Sequence, residues 1–300
     1  MLNMEILTQL PKSPRLILSL FLLIFICTEV FAEPLRIFVS IEPQVHVVEK
    51  VGGENVRVSA LVPVNQDPHA FTVTPRQVIE LNKAALYFTI GMPFEARIQE
   101  KVKGAQKGIR FVEMLEDLPE YQEVHDHDHG HPDHDDCETR DPHTWLSPPL
   151  LISMTKKVLD ELSFIDPTNV KTYETNAALF INELEKCHAV VQEKLRPFQG
   201  RSVYIFHPDL TWFCSTYDLK QITVQMGGKT PTPRDLQRLI EQVIADGAKT
   251  IFVQPQFDAR AAKALASAIG AELVSFNPME KDILSNIYGL TDNIVRSFTE

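Results

Sequence analysis

Residues 170–195 read VKTYETNAALFINELEKCHAVVQEKL, and the rest of the chain is arranged around this segment. Apolar side chains recur here at spacings of three and four, as on the buried face of an α-helix. The pattern follows Asp166-Pro167, a cap and a first-turn proline, and it stops at Pro197 and Gly200. It predicts one helix with an apolar stripe of about 28 residues, roughly 40 Å long at 1.5 Å per residue. The stripe consists of Val170, Tyr173, Ala177, Phe180, Leu184, Cys187, Val191 and Leu195.

On both sides of this predicted helix, short β-rich segments alternate with helical patterns. Before it we predict strands at 35–40, 56–62 and 86–90, with helices at 44–51 and 74–84. After it we predict strands at 202–206, 221–224, 250–253 and 272–276, with helices at 208–217, 233–245, 258–269 and 280–298. Thr74 and Thr232, each followed by proline, are the predicted N-caps of two of these helices. Such alternation is typical of parallel sheets covered on both faces. The predicted fold class is therefore α/β, with two lobes of parallel sheet flanked by helices and joined by one long rigid helix.

The first thirty residues have the layout of an export signal. Lys12 and Arg15 precede an apolar run at 16–27, and Val30-Phe31-Ala32 offers a cleavage site. We expect cleavage after Ala32 and a periplasmic location, with no stable membrane insertion, because the run is too short to span a bilayer. The predicted organisation is a signal peptide at 1–32, an N-terminal lobe at 33–165, a linking helix at 166–196 and a C-terminal lobe at 197–300.

Composition excludes some partners. The net charge of −11 argues against nucleic acid or an anionic membrane surface as a partner, and the 44% of hydrophobic residues is sufficient for packed cores. After the predicted cleavage three cysteines remain, Cys137, Cys187 and Cys214. An oxidising compartment permits one disulfide, and the sequence leaves a Cys187–Cys214 pairing open.

A segment at 119–141 is rich in histidine and aspartate. Six of the ten histidines of the chain lie between residues 125 and 143. Imidazoles interleaved with carboxylates suit borderline transition metals such as zinc, and a short His-rich tract is typical of metal binding. The alternative is a solvated acidic loop without a ligand. The predicted auxiliary metal ligands of this loop are His125, His127, His129, His131, His134 and Cys137.

Three other histidines share a setting. His69 and His143 each follow an Asp-Pro pair, and His207 directly follows a predicted strand. Ligands of open α/β sheets bind outside the carboxyl ends of the strands, so we expect these histidines to meet between the two halves. Asp67 and Asp141 can accept a hydrogen bond from a ring N–H or can simply cap the turn, and both roles remain open.

The motifs around these histidines resemble a known family, the metal-binding receptors of bacterial ABC importers for zinc and manganese, and specifically its zinc-uptake branch. The resemblance covers nearly all of the chain after residue 32. The run Asp141-Pro142-His143-Thr144-Trp145-Leu146-Ser147-Pro148 is highly specific, and other motifs agree in order and spacing. They are Pro43-Gln44, Val51-Gly52-Gly53, Asp67-Pro68-His69-Ala70-Phe71, Thr74-Pro75-Arg76-Gln77, Gly91-Met92-Pro93-Phe94-Glu95, Asp166-Pro167 with Tyr173 and Asn176, His207, Phe252-Val253-Gln254-Pro255-Gln256-Phe257 and Asn277-Pro278-Met279.

The resemblance implies a ligand set. The metal ligands of the family map by motif to His69, His143 and His207. Its fourth ligand is commonly an Asp after the last strand, and this chain has Asn277 there, with Glu280 three residues on. Water, Asn277, Glu280 or a loop residue could fill that position. Because manganese prefers carboxylate-rich sites, the missing carboxylate favours zinc.

The predicted function is therefore high-affinity capture of Zn²⁺ as a transported ligand and its delivery to the permease of an ABC importer. The His/Asp-rich loop is predicted to collect additional zinc, and the protein is expected to be a monomer. One alternative is a manganese-binding receptor of the same family, and another is a metal buffer without a permease. A three-His zinc hydrolase or lyase is a further alternative, because catalytic zinc sites also keep an open position. The sequence has no His-Glu-x-x-His helix and no nucleophile elbow, so we predict that the protein is not an enzyme.

Overall fold

A computed structural model describes residues 33–102, 108–115, 141–225, 232–258 and 260–299. The predicted signal peptide and the auxiliary loop ligands, His125, His127, His129, His131, His134 and Cys137, lie outside the described residues. Within those residues, every helix is too short or too polar to cross a bilayer. All elements below belong to one unit of the chain, Pro34–Glu300. The lobe boundaries at 165 and 197 stay a prediction.

The first sheet has four parallel strands in the order β2-β1-β3-β4. Its strands are β1 (Leu35–Val39), β2 (Val56–Ala60), β3 (Leu86–Thr89) and β4 (Arg110–Glu113), and Ile37 pairs with both Val58 and Leu86. The helices of this half are α1 (Glu42–Gly52), α2 (Pro75–Leu81) and α3 (Pro93–Val102). The first three strands and two of these helices were predicted from the sequence, but α3 and β4 were not.

Two consecutive helices follow the first sheet. They are α4 (Pro148–Ile165) and α5 (Val170–Leu195), separated by a short 3₁₀ turn at Pro167–Asn169. Helix α5 has 26 residues and buries the predicted stripe from Tyr173 to Leu195, while Val170 is half-buried. It packs against α4 and α1 along that stripe. Helix α4 was not predicted from the sequence. Its first turn holds two prolines, which are tolerated because first-turn N–H groups have no partner inside a helix.

The second sheet repeats the topology of the first, with parallel strands in the order β6-β5-β7-β8. They are β5 (Ser202–Ile205), β6 (Lys220–Thr223), β7 (Thr250–Val253) and β8 (Glu272–Ser275). The helices of this half are α6 (Thr211–Thr216), α7 (Pro233–Asp246), α8 (Arg260–Ile269) and α9 (Ile283–Thr299), and α9 packs against α5. The predicted α/β class, with two parallel sheets and one long helix, is confirmed.

Two predicted helix starts were wrong, because local hydrogen bonds hold the preceding residues outside the helix. Helix α9 begins at Ile283 instead of 280, because the Asp282 carboxylate accepts from the backbone N–H and hydroxyl of Ser285 and caps the helix. Helix α6 begins at Thr211 instead of 208, because the chain turns at His207, whose carbonyl accepts from the backbone N–H of Asp209 at 3.0 Å. The predicted N-caps Thr74 and Thr232 are confirmed, and both form capping boxes.

The described cysteines are not bonded to each other. Cys187 on α5 and Cys214 on α6 are free and buried. Burial raises the pKa of both thiols. The disulfide that the sequence left open is therefore not formed in this structure.

Candidate metal site

The two halves of the chain bring three histidines together. His69 lies in the connection between β2 and α2, and His207 lies just after β5, so both follow carboxyl ends of parallel strands. His143 lies directly before the short 3₁₀ helix Thr144–Leu146 that leads into α4. The predicted meeting of His69, His143 and His207 is what the structure shows.

The three imidazoles form a near-regular triangle. Their ring centroids are 5.1, 5.2 and 5.3 Å apart, and one nitrogen from each ring lies within 4.8 Å of the others. The Nε2 atoms of His69 and His143 are 3.1 Å apart. Two nitrogen ligands of a tetrahedral zinc ion lie about 3.3 Å from each other, given Zn–N bonds of about 2.0–2.1 Å. The spacing therefore suits a small cation, and lone pairs at this distance repel one another unless a proton or a cation lies between them.

The tautomers of two rings are set by their neighbours. The Nδ1–H of His143 donates to the Asp141 carboxylate at 2.6 Å, and the Nδ1–H of His207 donates to the side-chain oxygen of Gln225 at 2.8 Å. Each ring therefore presents the lone pair of Nε2, the arrangement in which a partner on one ring nitrogen orients the other towards a metal.

The duplicated Asp-Pro-His motif folds in the same way twice. Asp67 accepts from the backbone N–H of His69 at 2.8 Å, and Asp141 accepts from the backbone N–H of His143 at 2.9 Å. Asp141 accepts from the ring of its histidine as well, so it both caps the turn and orients the imidazole. In the first motif, the hydrogen bond of the Asp67 carboxylate is the one that caps the turn. The two roles that the sequence left open are thus combined in one motif and not in the other.

Burial and charge set the pKa values of the three rings in different directions. Burial lowers the pKa of His207 to about 3, assisted by the nearby His143, and burial also lowers the pKa of His69. Burial alone would lower the pKa of His143 too, but the bond to Asp141 outweighs it and raises the pKa. The same bond holds the pKa of Asp141 low against its burial. At neutral pH, His69 and His207 are therefore neutral and ready to accept a cation.

Two glutamines hold His207 in place. Gln254, just after β7, accepts from the backbone N–H of His207 at 3.1 Å and donates to its carbonyl oxygen at 2.9 Å. It also donates to the carboxylate of Asp209 at 2.9 Å. Gln225 orients the ring, as described above. We predicted no role for either glutamine from the sequence. Both follow β-strands at the sheet edge where His207 lies, and that position is the signal that could have revealed them.

The walls of the pocket are largely apolar and come from both halves. The ring of Phe257 stacks on His207 with a centroid distance of 4.3 Å, and Trp145 and Met279 also line the pocket. The indole N–H of Trp145 donates to the carbonyl oxygen of Pro278 at 2.8 Å, which ties the segment of His143 to the loop after β8. Asp209 and Gln256 supply the remaining polar lining.

The two residues considered for a fourth ligand lie to one side. Asn277 and Glu280 do not belong to the residues that line the pocket. The side-chain oxygen of Asn277 accepts from the amide of Gln256 at 2.5 Å and from the backbone N–H of Met279 at 3.1 Å. Its amide donates to Glu280 at 2.7 Å, and Glu280 is exposed. The structure therefore brings the three histidines together but not these two residues.

Comparisons with known proteins agree on one family. The model of the periplasmic zinc-uptake complex component A, ZnuA, matches residues 37–296. The chain is 32% identical to a solved ZnuA crystal structure, which covers 88% of this chain and 99% of that one with a TM-score of 0.79. A ZnuA deletion mutant solved with zinc bound is also 32% identical, with 88% and 98% coverage and a TM-score of 0.78. The high-affinity zinc uptake system protein ZnuA of Bacillus subtilis (strain 168) is 23% identical over 260 residues, 83% of this chain and 79% of that protein.

Proposed function

Because the chain belongs to the ZnuA family of periplasmic metal-binding receptors of ABC importers, we propose that it captures Zn²⁺ between its two halves and delivers the ion to a permease. The proposed ligands are the Nε2 atoms of His69, His143 and His207. Members of this family are solute-binding transport proteins and not enzymes, so the alternative of a hydrolase or lyase is set aside. The partner of such a receptor is the membrane permease of its importer.

One observation carries this proposal. Three ring nitrogens from separate segments lie within 4.8 Å of one another in a mostly apolar pocket, and two of the rings are oriented by bonds on their other nitrogen. Pre-orientation lowers the entropic cost of binding, because the rings need not be ordered around the ion. The apolar walls strengthen the attraction between the ion and the ligands by excluding water.

We prefer zinc to manganese as the transported ion. The clustered donors are three imidazoles, which suit zinc, whereas manganese favours carboxylate, carbonyl and water oxygens. The zinc-bound ZnuA mutant among the similar structures supports the same choice. A manganese-binding receptor with this site would require carboxylate oxygens in the cluster that the described residues do not supply.

Isothermal titration of Zn²⁺ and Mn²⁺ into metal-free protein, with and without residues 122–138, tests the proposal. We expect one tight zinc site that survives the deletion, and weak manganese binding in both forms. The substitution His207→Ala in the deleted form should abolish the tight site. His188→Ala is the matched control, because that ring lies on α5 beside Tyr217 and away from the pocket. Tight binding that disappears with the loop would contradict the proposal.

We propose that the loop at 119–141 is an auxiliary zinc collector. Its histidines and Cys137 would bind several ions weakly, since ordering a loop around an ion costs conformational entropy. The same titration should therefore lose several weaker sites when residues 122–138 are removed. An unchanged number of weak sites would show that the collector role is wrong.

Export and oligomeric state complete the proposal. We propose that the chain is exported, cleaved after Ala32 and monomeric in the periplasm. Mass spectrometry of the protein recovered from the periplasmic fraction should show Glu33 as the first residue, and light scattering should give the mass of one mature chain. Another N-terminus would contradict the predicted cleavage site, and twice the mass would contradict the monomer.

A further inference from the structure

Buried polar atoms without a protein partner concentrate at this pocket. Five buried side-chain nitrogen or oxygen atoms lack a hydrogen-bond partner within the part of the chain that the structure describes. Three of them are His207 Nε2, Asp209 Oδ1 and Gln256 Oε1, and all three residues line the pocket. The other two belong to His46 and Asn82, which lie elsewhere. Because a buried unsatisfied polar group costs about 1–3 kcal/mol, such a cluster points to a ligand.

The chemistry of these atoms defines what the ligand must offer. The proposed coordination to a metal accounts for His207 Nε2. Asp209 Oδ1 and Gln256 Oε1 are both acceptors, so they require hydrogen-bond donors. The Asp209 oxygen does not belong to the group of atoms that lie mutually within 4.8 Å, so direct coordination is not the arrangement here. A metal-bound water has two O–H groups, and this matches two acceptors.

Neighbouring bonds fix both acceptors. The other carboxylate oxygen of Asp209 accepts from Gln254, and the Asp209 side chain is only 1% exposed. The amide nitrogen of Gln256 donates to the carbonyl of Val64 at 2.7 Å and to Asn277. A flip of the Gln256 amide would lose both of its bonds, and a flip of the Asp209 carboxylate only exchanges two equivalent oxygens. One unpartnered oxygen on each side chain is therefore left for a ligand.

We propose that Asp209 and Gln256 are positioning residues that hold a metal-bound water at the fourth coordination position. This inference rests on the proposed function, because it takes the three histidines as the metal ligands. Asn277, at the position where the family commonly has a carboxylate ligand, instead binds the amide of Gln256 and helps to orient it.

The substitution Asp209→Asn tests the geometry sharply. Gln254 donates to this side chain, so the new amide must keep its oxygen towards Gln254 and turn its NH₂ group towards the pocket. An acceptor for the water is thereby replaced by a donor at nearly constant volume. Gln256→Met removes the second acceptor at similar length. Asn82→Leu is the matched control, because Asn82 Oδ1 is equally buried and unpartnered but lies outside the pocket.

The experiment uses the chain without residues 122–138 and two readouts. Zinc affinity by titration should fall about 10–100-fold in Asp209→Asn and in Gln256→Met, the range seen when groups that orient a metal's ligands are removed, and should not change in Asn82→Leu. The low-temperature electron paramagnetic resonance signal of bound Co²⁺ should broaden in H₂¹⁷O in the parent and should lose that broadening in Asp209→Asn. Thermal melts of the metal-free proteins identify any variant that fails to fold.

The outcomes separate the two proposals. A parent that lacks a tight zinc site would overturn the proposed function. A parent with a tight site but without ¹⁷O broadening would overturn the bound water. A folded Asp209→Asn protein that keeps both the affinity and the broadening would overturn the role of Asp209. If Asp209→Asn does not fold, Gln256→Met takes its place. A folded Gln256→Met protein that keeps both the affinity and the broadening would overturn the role proposed for the pair.

Discussion

We expect the three histidine ligands to release only about one proton between them when zinc binds near pH 6.5. Zinc requires the neutral ring, so each protonated ligand must lose a proton. Burial lowers the pKa of His207 to about 3 and that of His69 below its ordinary 6.5, so both rings are mostly neutral at this pH. The bond to Asp141 raises the pKa of His143 above its ordinary 6.5, so this ring still carries its proton there.

The proton count determines how steeply affinity depends on pH. With one competing proton, the apparent affinity falls at most tenfold for each pH unit below the pKa of His143, or about 1.4 kcal/mol per unit. Three competing protons would give a thousandfold loss per unit. Zinc on the His/Asp-rich loop should be lost first in mild acid, because free histidines titrate together near pH 6.5.

The substitution Asp141→Asn should reduce the number of protons that the ligands release. Without the carboxylate, burial dominates and lowers the pKa of His143, so less of the ring is protonated at the same pH. At pH 8 the affinity should still fall about 10–100-fold because the ring is oriented less well. Asp67→Asn is the matched control, since the Asp67 carboxylate in the sister motif accepts from a backbone N–H of His69.

Isothermal titration of zinc in two buffers of different ionisation enthalpy measures the number of protons released. The chain without residues 122–138 should be used, so that the loop does not contribute. At pH 6.5 we expect Asp67→Asn to release as many protons as the parent and Asp141→Asn to release fewer. Burial raises the pKa of Asp209 to about 7, and a proton released by that group would be counted in all three proteins. The same count in Asp141→Asn as in the parent would refute the reasoning.

Two further predictions concern stability. Glu95→Gln should lower the free energy of unfolding by about 2–4 kcal/mol in urea titrations. The buried Glu95 carboxylate accepts from three backbone N–H groups and from the Ser40 hydroxyl, and the amide of the variant would turn an N–H donor towards some of these donors. Glu100→Gln on the exposed side of the same helix is its control, and equal effects would contradict the account. Leu184→Ala, within the buried stripe of α5, should cost about 2–5 kcal/mol, whereas Leu179→Ala, 60% exposed on the same helix, should cost under about 0.5 kcal/mol.

The regular parts of the fold were predictable from the sequence because burial imposes a period. The stripe of α5 was correct from Tyr173 to Leu195, since each of those side chains is buried on one face of the helix. Strand β4 was missed because only one of its four residues is buried, which leaves no alternation to detect. The first turn of α4 resembled a break because of its two prolines, although proline is compatible with the first turn.

The site was predictable only where the sequence carries a local signal. The Asp-Pro-His pairs and the histidine after β5 identified the three rings, because their positions follow from strand ends and turn chemistry. The glutamines that hold His207 come from two other strand connections, and a lone glutamine such as Gln225 or Gln254 has no distinguishing pattern. Their roles depend on how parallel strands bring distant segments to one sheet edge.

The fourth position shows why a motif locates a residue without defining its role. A sequence match fixes where Asn277 lies along the backbone after β8, but the direction of its side chain depends on its partners. Its oxygen is held by Gln256 and Met279, and its amide nitrogen by Glu280, so both ends of the side chain already have protein partners. A carboxylate there would face Glu280 without a shared proton and would be repelled, whereas the amide is attracted. The change from Asp to Asn thus removes an anionic ligand and also turns the side chain towards Glu280, and it leaves the polar lining of the pocket to Asp209 and Gln256.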